Sequence, residues 1–479
     1  MSKSISLAKI TKPGLPEVYN RTRLFDLLDK ASTRQLIWVA GPPGAGKTTL
    51  VCSYIDQRKI NCLWYQIDET DSDLASFFHY LGLAAKKAAP RKRTPLPHLT
   101  PEYQAGISAF TRGFFQELFA RLKSPFTIVF DDYQQIPDQC AIHEAIKDGL
   151  IVLPEGGTVI LLSRTEPPAT LARTHMNQAM SILGWKDLSL TPDESRGIAK
   201  LWGLQKSVTE ILRLLHGKAE GWAAGLVLML ERISSGHDTP QAINDLGTDT
   251  LFDYFASEIL QQTEPEVRDF LLKTSLLPSM TINMAEALTG NRNTKKVLAQ
   301  LNRNYYFTEK KVKTEAVFQY NPMFREFLLA SFEQLLPDEE KKQLQGKAAL
   351  ILEENGHLEA AVTLVLKIKD WKRLALIIST HAPELMKQGR YETLHGWLKA
   401  LPDEMINLQP WLRFWLGTCR MPFSVMESRQ QFEAAYNLFE KADDIQGLCL
   451  CWSSIIETYL YEWGNFKPLD GWIEKLDDL

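Results

Sequence analysis

The sequence predicts an α/β domain built on a parallel sheet, then a small helical domain, a winged helix and a helical superhelix. Three observations predict it. A glycine-rich segment, Gly41-Pro42-Pro43-Gly44-Ala45-Gly46-Lys47-Thr48-Thr49, follows the apolar stretch Gln35-Leu36-Ile37-Trp38-Val39-Ala40 and precedes a helical pattern. Apolar runs of strand length then alternate with helical patterns, which is the signature of a parallel sheet. From residue 337 onward no strand signal remains.

The glycine-rich segment fits G-x-x-x-x-G-K-[ST], the phosphate-binding loop of a P-loop NTPase. Its glycines let backbone N–H groups turn toward phosphate oxygens, and the helix N-terminus adds positive partial charge. Lys47 is expected to neutralise the β- and γ-phosphates, and the Thr48 hydroxyl to bind Mg²⁺. Phe126-Thr127-Ile128-Val129-Phe130-Asp131-Asp132 reads as a buried strand ending in two carboxylates. Asp131 is expected to hold Mg²⁺ through water, and Asp132 to orient or deprotonate the attacking water. Thr158-Val159-Ile160-Leu161-Leu162 is a further strand, followed by Ser163-Arg164. An arginine at the carboxyl end of a parallel strand lies on the ligand side of the sheet, where it can reach a γ-phosphate; a surface ion pair is its alternative role.

The remaining elements follow in order. The N-terminal segment, 1–33, contains an extended Lys12-Pro13-Gly14-Leu15-Pro16 and a helix beginning near Asn20-Arg21-Thr22. That helix either packs beside an adenine or covers a sheet edge. The nucleotide-binding domain occupies 34–190, with strands also at Cys62-Leu63-Trp64-Tyr65-Gln66-Ile67 and Met180-Ser181-Ile182. Residues 84–101, rich in Pro and Lys, read as an exposed loop. Thr191-Pro192-Asp193-Glu194 is a capping-box helix start and opens a lid domain at 191–250. Inside it, Glu220-Gly221-Trp222-Ala223-Ala224-Gly225-Leu226 offers small residues around a tryptophan, a turn that permits close backbone approach to a flat ring. Three short helical patterns and two strand-like pieces at 251–336 follow a winged-helix plan, without an arginine array for reading bases. The final region, 337–479, reads as an α-solenoid of TPR-like helical hairpins. It shows no evident polar cap, which implies a chain that continues or a covering partner.

Composition narrows the function. The 479 residues carry a net charge of -4, so no global attraction to nucleic acid or anionic membrane is expected. The basic residues Lys86, Lys87, Arg91, Lys92 and Arg93 read as a solvated linker. Six cysteines without C-x-x-C spacing suit reduced thiols in a cytoplasmic protein, and Cys449 and Cys451 fall on different faces of a helix. The first residues lack an uninterrupted apolar run, so they are not expected to act as a signal peptide. The apolar run at 222–230 is too short to span a bilayer. ATP is expected over GTP because no Asn-Lys-x-Asp motif occurs.

The order of these parts resembles the MalT type of STAND ATPases, the large ATP-dependent regulators of the LuxR class. The likeness rests on the loop at 41–49, Asp131-Asp132-Tyr133, Leu162-Ser163-Arg164 with Pro167-Pro168, Glu220-Gly221-Trp222-Ala223 with Gly225-Leu226, and Phe270-Leu271-Leu272-Lys273-Thr274-Ser275. The resemblance implies a switch that closes around ADP in an inactive monomer and self-associates with ATP when an inducer acts on the superhelix. It makes Arg164 a sensor arginine and the turn at 221–223 an adenine-side element. It also implies DNA binding through a further helix-turn-helix that these residues do not include. Family members usually carry His-Pro-Leu-Phe in the winged helix; here the stretch is Asn321-Pro322-Met323-Phe324. The resemblance makes position 321 a β-phosphate contact, and the uncharged Asn321 implies a weaker ADP lock. A constitutive P-loop ATPase or kinase acting on a separate substrate is the alternative.

Overall fold

A computed structural model describes residues 8–92, 94–171, 179–202, 209–234, 264–291, 293–303, 307–311, 316–320 and 322–475. The chain divides into two compact units. The first comprises 1–72, 80–96 and 111–360; the second comprises 73–79, 97–110 and 361–479.

Five parallel strands form the sheet of the first unit: β1 Leu36–Ala40, β2 Asn61–Gln66, β3 Phe126–Asp131, β4 Gly157–Ser163 and β5 Met180–Leu183. Their order is β2-β3-β4-β1-β5. Every residue of β1 and β3 is buried, as expected where helices cover both faces of a parallel sheet. The apolar runs are therefore continuous rather than alternating. The order puts β4 between β1 and β3, so the segments leaving β1, β3 and β4 emerge side by side at one edge. Sequence periodicity located these strands but carried no information about their order.

Helix Thr22–Ala31 buries Leu24, Phe25 and Leu28 in the same core as Val39, Leu50 and Val51. Its Phe25 ring tilts against Tyr54 of the loop helix Lys47–Arg58, with centroids 5.8 Å apart. These contacts pack the helix into the core beside β1 and the loop helix. The expected exposed loop at 84–101 is corrected in part. Helix Leu74–Ala88 continues into it, Leu96 is buried, and Lys87 bonds to Thr11. Those apolar positions had been masked by the surrounding prolines and lysines.

The lid helices Pro192–Leu201, Thr209–Ala219 and Ala223–Ser234 share a core of Leu190, Ala199, Leu215, Leu226, Met229 and Leu230. The capping box forms as the sequence requires: Thr191 Oγ1 accepts from the Glu194 N–H at 3.2 Å, and Glu194 accepts from the Thr191 N–H at 3.0 Å. Helices Pro265–Thr274, Ile282–Thr289 and Thr294–Arg303 precede an antiparallel ribbon, β6 Phe307–Lys311 and β7 Ala316–Tyr320. Helix Pro322–Leu335 closes this winged helix. Thr274 and Tyr320 share a 2.5 Å hydroxyl contact, and Arg325 Nε donates to the Ser275 carbonyl at 2.9 Å.

In the second unit, helices Trp371–Lys387, Tyr391–Ala400, Pro410–Arg420, Val425–Lys441 and Ile445–Glu462 pack as successive hairpins. Small residues mark the crossings: a Cβ at Gly417 would stand 2.7 Å from the Phe432 ring, and Ser428 Oγ donates to the Gly417 carbonyl at 2.7 Å. Cys449 is exposed and Cys451 buried, as their two-residue spacing on one helix requires. Residues from the α/β portion of the sequence belong to this unit as well. Arg390, 2% exposed, donates to Ser76 Oγ at 2.7 Å, and Thr393 Oγ1 donates to Asp73 at 2.6 Å. Among the described residues, no helix is long and apolar enough to cross a membrane.

Candidate functional site

The loop after β1 turns on two residues in the left-handed region, Gly44 (φ +73°) and Gly46 (φ +82°). Side chains rarely adopt that conformation, which is why the motif demands glycine there. Gly46 immediately precedes helix Lys47–Arg58, so the loop backbone and the free N–H groups of the first turn face the same space. Ala45 is buried beneath the loop, while Pro42 and Thr49 are exposed. Lys47 Nζ donates to the carbonyls of Gly41 (2.7 Å) and Pro42 (3.1 Å). Burial lowers its pKa, with Arg164 acting in the same sense, and Asp131 and Asp132 oppose the shift.

Thr48 Oγ1 lies 3.2 and 3.1 Å from the two carboxylate oxygens of Asp131. A hydroxyl and a carboxylate brought together at the mouth of a phosphate loop are the hard oxygen donors that Mg²⁺ takes, so the residues fit that ion. Asp132 sits one residue beyond β3 with φ +60°. Its carboxylate accepts from Gln66 Nε2 (3.0 Å) and Gln134 Nε2 (3.1 Å). Gln134 Oε1 in turn accepts from the Arg164 N–H at 3.0 Å.

Two further elements reach this edge. The Trp222 indole N–H donates to the Pro43 carbonyl at 2.8 Å, and the Ala224 N–H donates to the Gly44 carbonyl at 3.0 Å. A Cβ at Gly44 would lie 2.6 Å from Ala224 and 2.7 Å from the indole nitrogen. The lid is thus seated on the phosphate loop, and only glycine at 44 permits it. Gly221 (φ +79°) makes the turn, its carbonyl accepting from the Leu190 N–H at 2.8 Å. The winged helix supplies the second element: Arg164 Nη2 pairs with Glu326 at 3.1 Å. The arginine that sequence placed either at a γ-phosphate or in a surface ion pair is drawn here in the second role.

The N-terminal segment holds the lid from the other side. Arg21 donates to Glu194 at 2.9 Å and to the Leu188 carbonyl at 2.8 Å, and Arg23 reaches the same carboxylate at 3.2 Å. Burial alone would raise the Glu194 pKa, but hydrogen bonds from Arg21, the Thr191 N–H and Arg23 bring it below the usual carboxylate value.

The structure therefore gathers Lys47, Thr48, Asp131, Asp132, Arg164 and Trp222 around one loop. Asn321 lies outside the described residues. Sequence reasoning missed Gln66, Gln134 and Glu326. A polar residue closing an apolar strand at its carboxyl end was the available signal for Gln66. No local signal existed for Glu326, which lies 162 positions from its partner.

The family model "MalT winged helix domain" matches residues 256–340, and "Nephrocystin 3, N-terminal" matches residues 18–151. The chain is 28% identical over 452 residues to the HTH-type transcriptional regulator MalT of Serratia proteamaculans. It is 26% identical over 453 residues to the protein of that name from Vibrio parahaemolyticus. In both cases 91% of the chain but only 48% of the relative is covered, so the chain spans about half the length of the curated relatives it matches. Likeness to solved structures is slight: the Aeropyrum pernix Orc1 protein in complex with DNA, at 13% identity, covers 67% of this chain and 96% of its own with a TM-score of 0.33. Relatives of one name along nine-tenths of the chain, with a match to a MalT winged-helix model behind a phosphate loop, make this chain similar to the MalT-type regulators.

Proposed function

We propose that this chain is the nucleotide-switch portion of an ATP-dependent transcriptional regulator. The observation that carries the reading is that the lid and the winged helix both reach the edge of the sheet where the phosphate loop and Arg164 stand. The lid bonds to Pro43 and Gly44, and the winged helix holds the sensor arginine through Glu326. A plain P-loop ATPase needs neither connection.

In this reading ATP or ADP sits with its phosphates on the loop at 41–49, Lys47 neutralising the β- and γ-phosphates. Thr48 and Asp131 would hold Mg²⁺, which when bound supplies positive charge to the phosphate oxygens. Asp132 orients the attacking water. Trp222 and Gly221 close the lid over the nucleotide. A γ-phosphate competes with the Glu326 carboxylate for Arg164, so ATP and ADP favour different placements of the winged helix. A ligand stabilises whichever arrangement it binds more tightly, and by no more than the difference in affinity. ADP then marks the resting form and ATP the self-associating form, with slow hydrolysis resetting the switch. An inducer, a small molecule or a protein, acts through the helical repeats. DNA is bound by a domain outside this sequence.

The test is size-exclusion chromatography of the chain in Mg-ADP and then Mg-ATP, with the retained nucleotide identified after denaturation. The reading expects a monomer holding ADP and a larger species holding ATP. A single elution position together with steady turnover would favour a constitutive ATPase instead.

A further inference from the structure

We propose that Gln134 is a positioning residue for ATP hydrolysis, working through Asp132; this deepens the reading above and rests on it. The β3–β4 ladder ends at the pair Phe130↔Leu161. Beyond that point Gln134 reconnects the two strand ends. Its Nε2 donates to Asp132 Oδ1 at 3.1 Å, and its Oε1 accepts from the Arg164 N–H at 3.0 Å. The second contact fixes the orientation of the amide, because only the oxygen can face an N–H donor. The NH₂ group must then face the carboxylate.

The chemistry suits a group that aims a water. Asp132 Oδ2 accepts from Gln66 Nε2 at 3.0 Å, so each carboxylate oxygen has one neutral donor. Each also keeps a second lone pair for water. Amide donors hold the carboxylate without delivering the proton or the full positive charge that a histidine or lysine would bring. Asp132 needs the support: at φ +60° its backbone occupies the left-handed region, which Asp tolerates better than most residues but does not prefer. In the step it serves, the water oxygen bonds to the terminal phosphorus. The bond from phosphorus to the bridging oxygen breaks, its electron pair leaving with ADP. One water proton passes by way of Asp132 to the released phosphate. Gln134 touches none of the reacting atoms; it sets the direction of Asp132 and ties it to the residue that carries the sensor guanidinium.

The test compares the full chain with Gln134→Leu, which removes both bonds, and Gln134→Glu, which retains only the acceptor. The proposal expects single-turnover cleavage of Mg-ATP to slow by about 30-fold in each, since small misplacements of a catalytic group cost that order. The Kd for ATP should stay within about two-fold, because the phosphate loop is untouched. The nucleotide recovered from the purified variants should shift from ADP toward ATP. In an Asp132→Asn background, Gln134→Leu should cause no further loss, since a residue acting through another is non-additive with it. Cleavage at the parental rate, or losses that multiply in the double variant, would overturn the proposal. So would a parent that binds ATP and never cleaves it. A parent that binds no nucleotide in a separate equilibrium assay defeats the switch reading itself. If the leucine variant fails to fold, the isosteric Gln134→Glu supplies the same rate comparison.

Discussion

The residues that follow β1 and β3 and the residues that approach them from the lid and winged helix solve different problems. The first set is local. Gly44, Gly46, Lys47, Thr48, Asp131 and Asp132 are positioned by the strand or turn in which they stand, at the carboxyl ends of strands of one sheet. The second set is remote. Trp222 reaches Pro43 across 179 positions, and Glu326 reaches Arg164 across 162. Local residues suit binding, because they keep their geometry whatever the other domains do. Remote residues suit sensing, because their contacts depend on how the domains are arranged.

The contrast can be broken most forcefully at Lys47. Lys47→Ala should weaken nucleotide binding by about 100-fold or more, since it removes the lysine proposed to neutralise the phosphates, as calorimetry would show. Next comes Asp132→Asn, which should slow hydrolysis by about 100-fold while leaving affinity nearly unchanged. Equal cleavage by that variant and the parent would remove Asp132 as the water-orienting group.

The third change addresses stability. Glu194 joins the N-terminal segment to the lid, and its folded pKa lies below the usual 4.5. A depressed carboxylate stabilises the fold fully above its unfolded pKa, and that contribution fades as pH falls through the folded value. Thermal unfolding should therefore show an acid loss beginning below about pH 4.5. Glu194→Gln should cost about 3 kcal/mol at neutral pH by leaving Arg21 buried beside a neutral partner, and should flatten the acid loss. Unchanged acid sensitivity would show that the cluster contributes no proton linkage.

The smaller effects belong to the remote contacts. Trp222→Phe keeps a ring but loses the bond to Pro43, which is worth about 1 kcal/mol, so ADP should leave about five-fold faster. Glu326→Gln should raise the affinity for ATP relative to ADP by about three-fold, because a half-exposed ion pair carries at most about 1 kcal/mol. If either variant equals the parent in ADP release and in ATP preference, its contact plays no part in sensing.

The same division explains what the sequence disclosed. The phosphate loop, the β3 carboxylates and the capping box at Thr191 were legible because each is written in a few consecutive residues. Trp222 was visible as an oddity, a large ring among small residues, but not its partner. The β2-β3-β4-β1-β5 order, the Gln134 bridge and the assignment of 73–79 and 97–110 to the helical unit depend on long-range packing. No pattern of period two or 3.6 encodes such packing. Residues 84–101 misled for a related reason: a buried Leu96 among prolines and lysines leaves no periodic trace.

Calorimetric titration of the chain with Mg-ADP, beside Trp222→Ala, tests most directly whether remote domains complete the nucleotide site. The account predicts that the parent binds and that the variant binds about ten-fold more weakly, from loss of the bond to Pro43 and of the ring's packing. Equal affinity in the two proteins, or no binding by either, would contradict it.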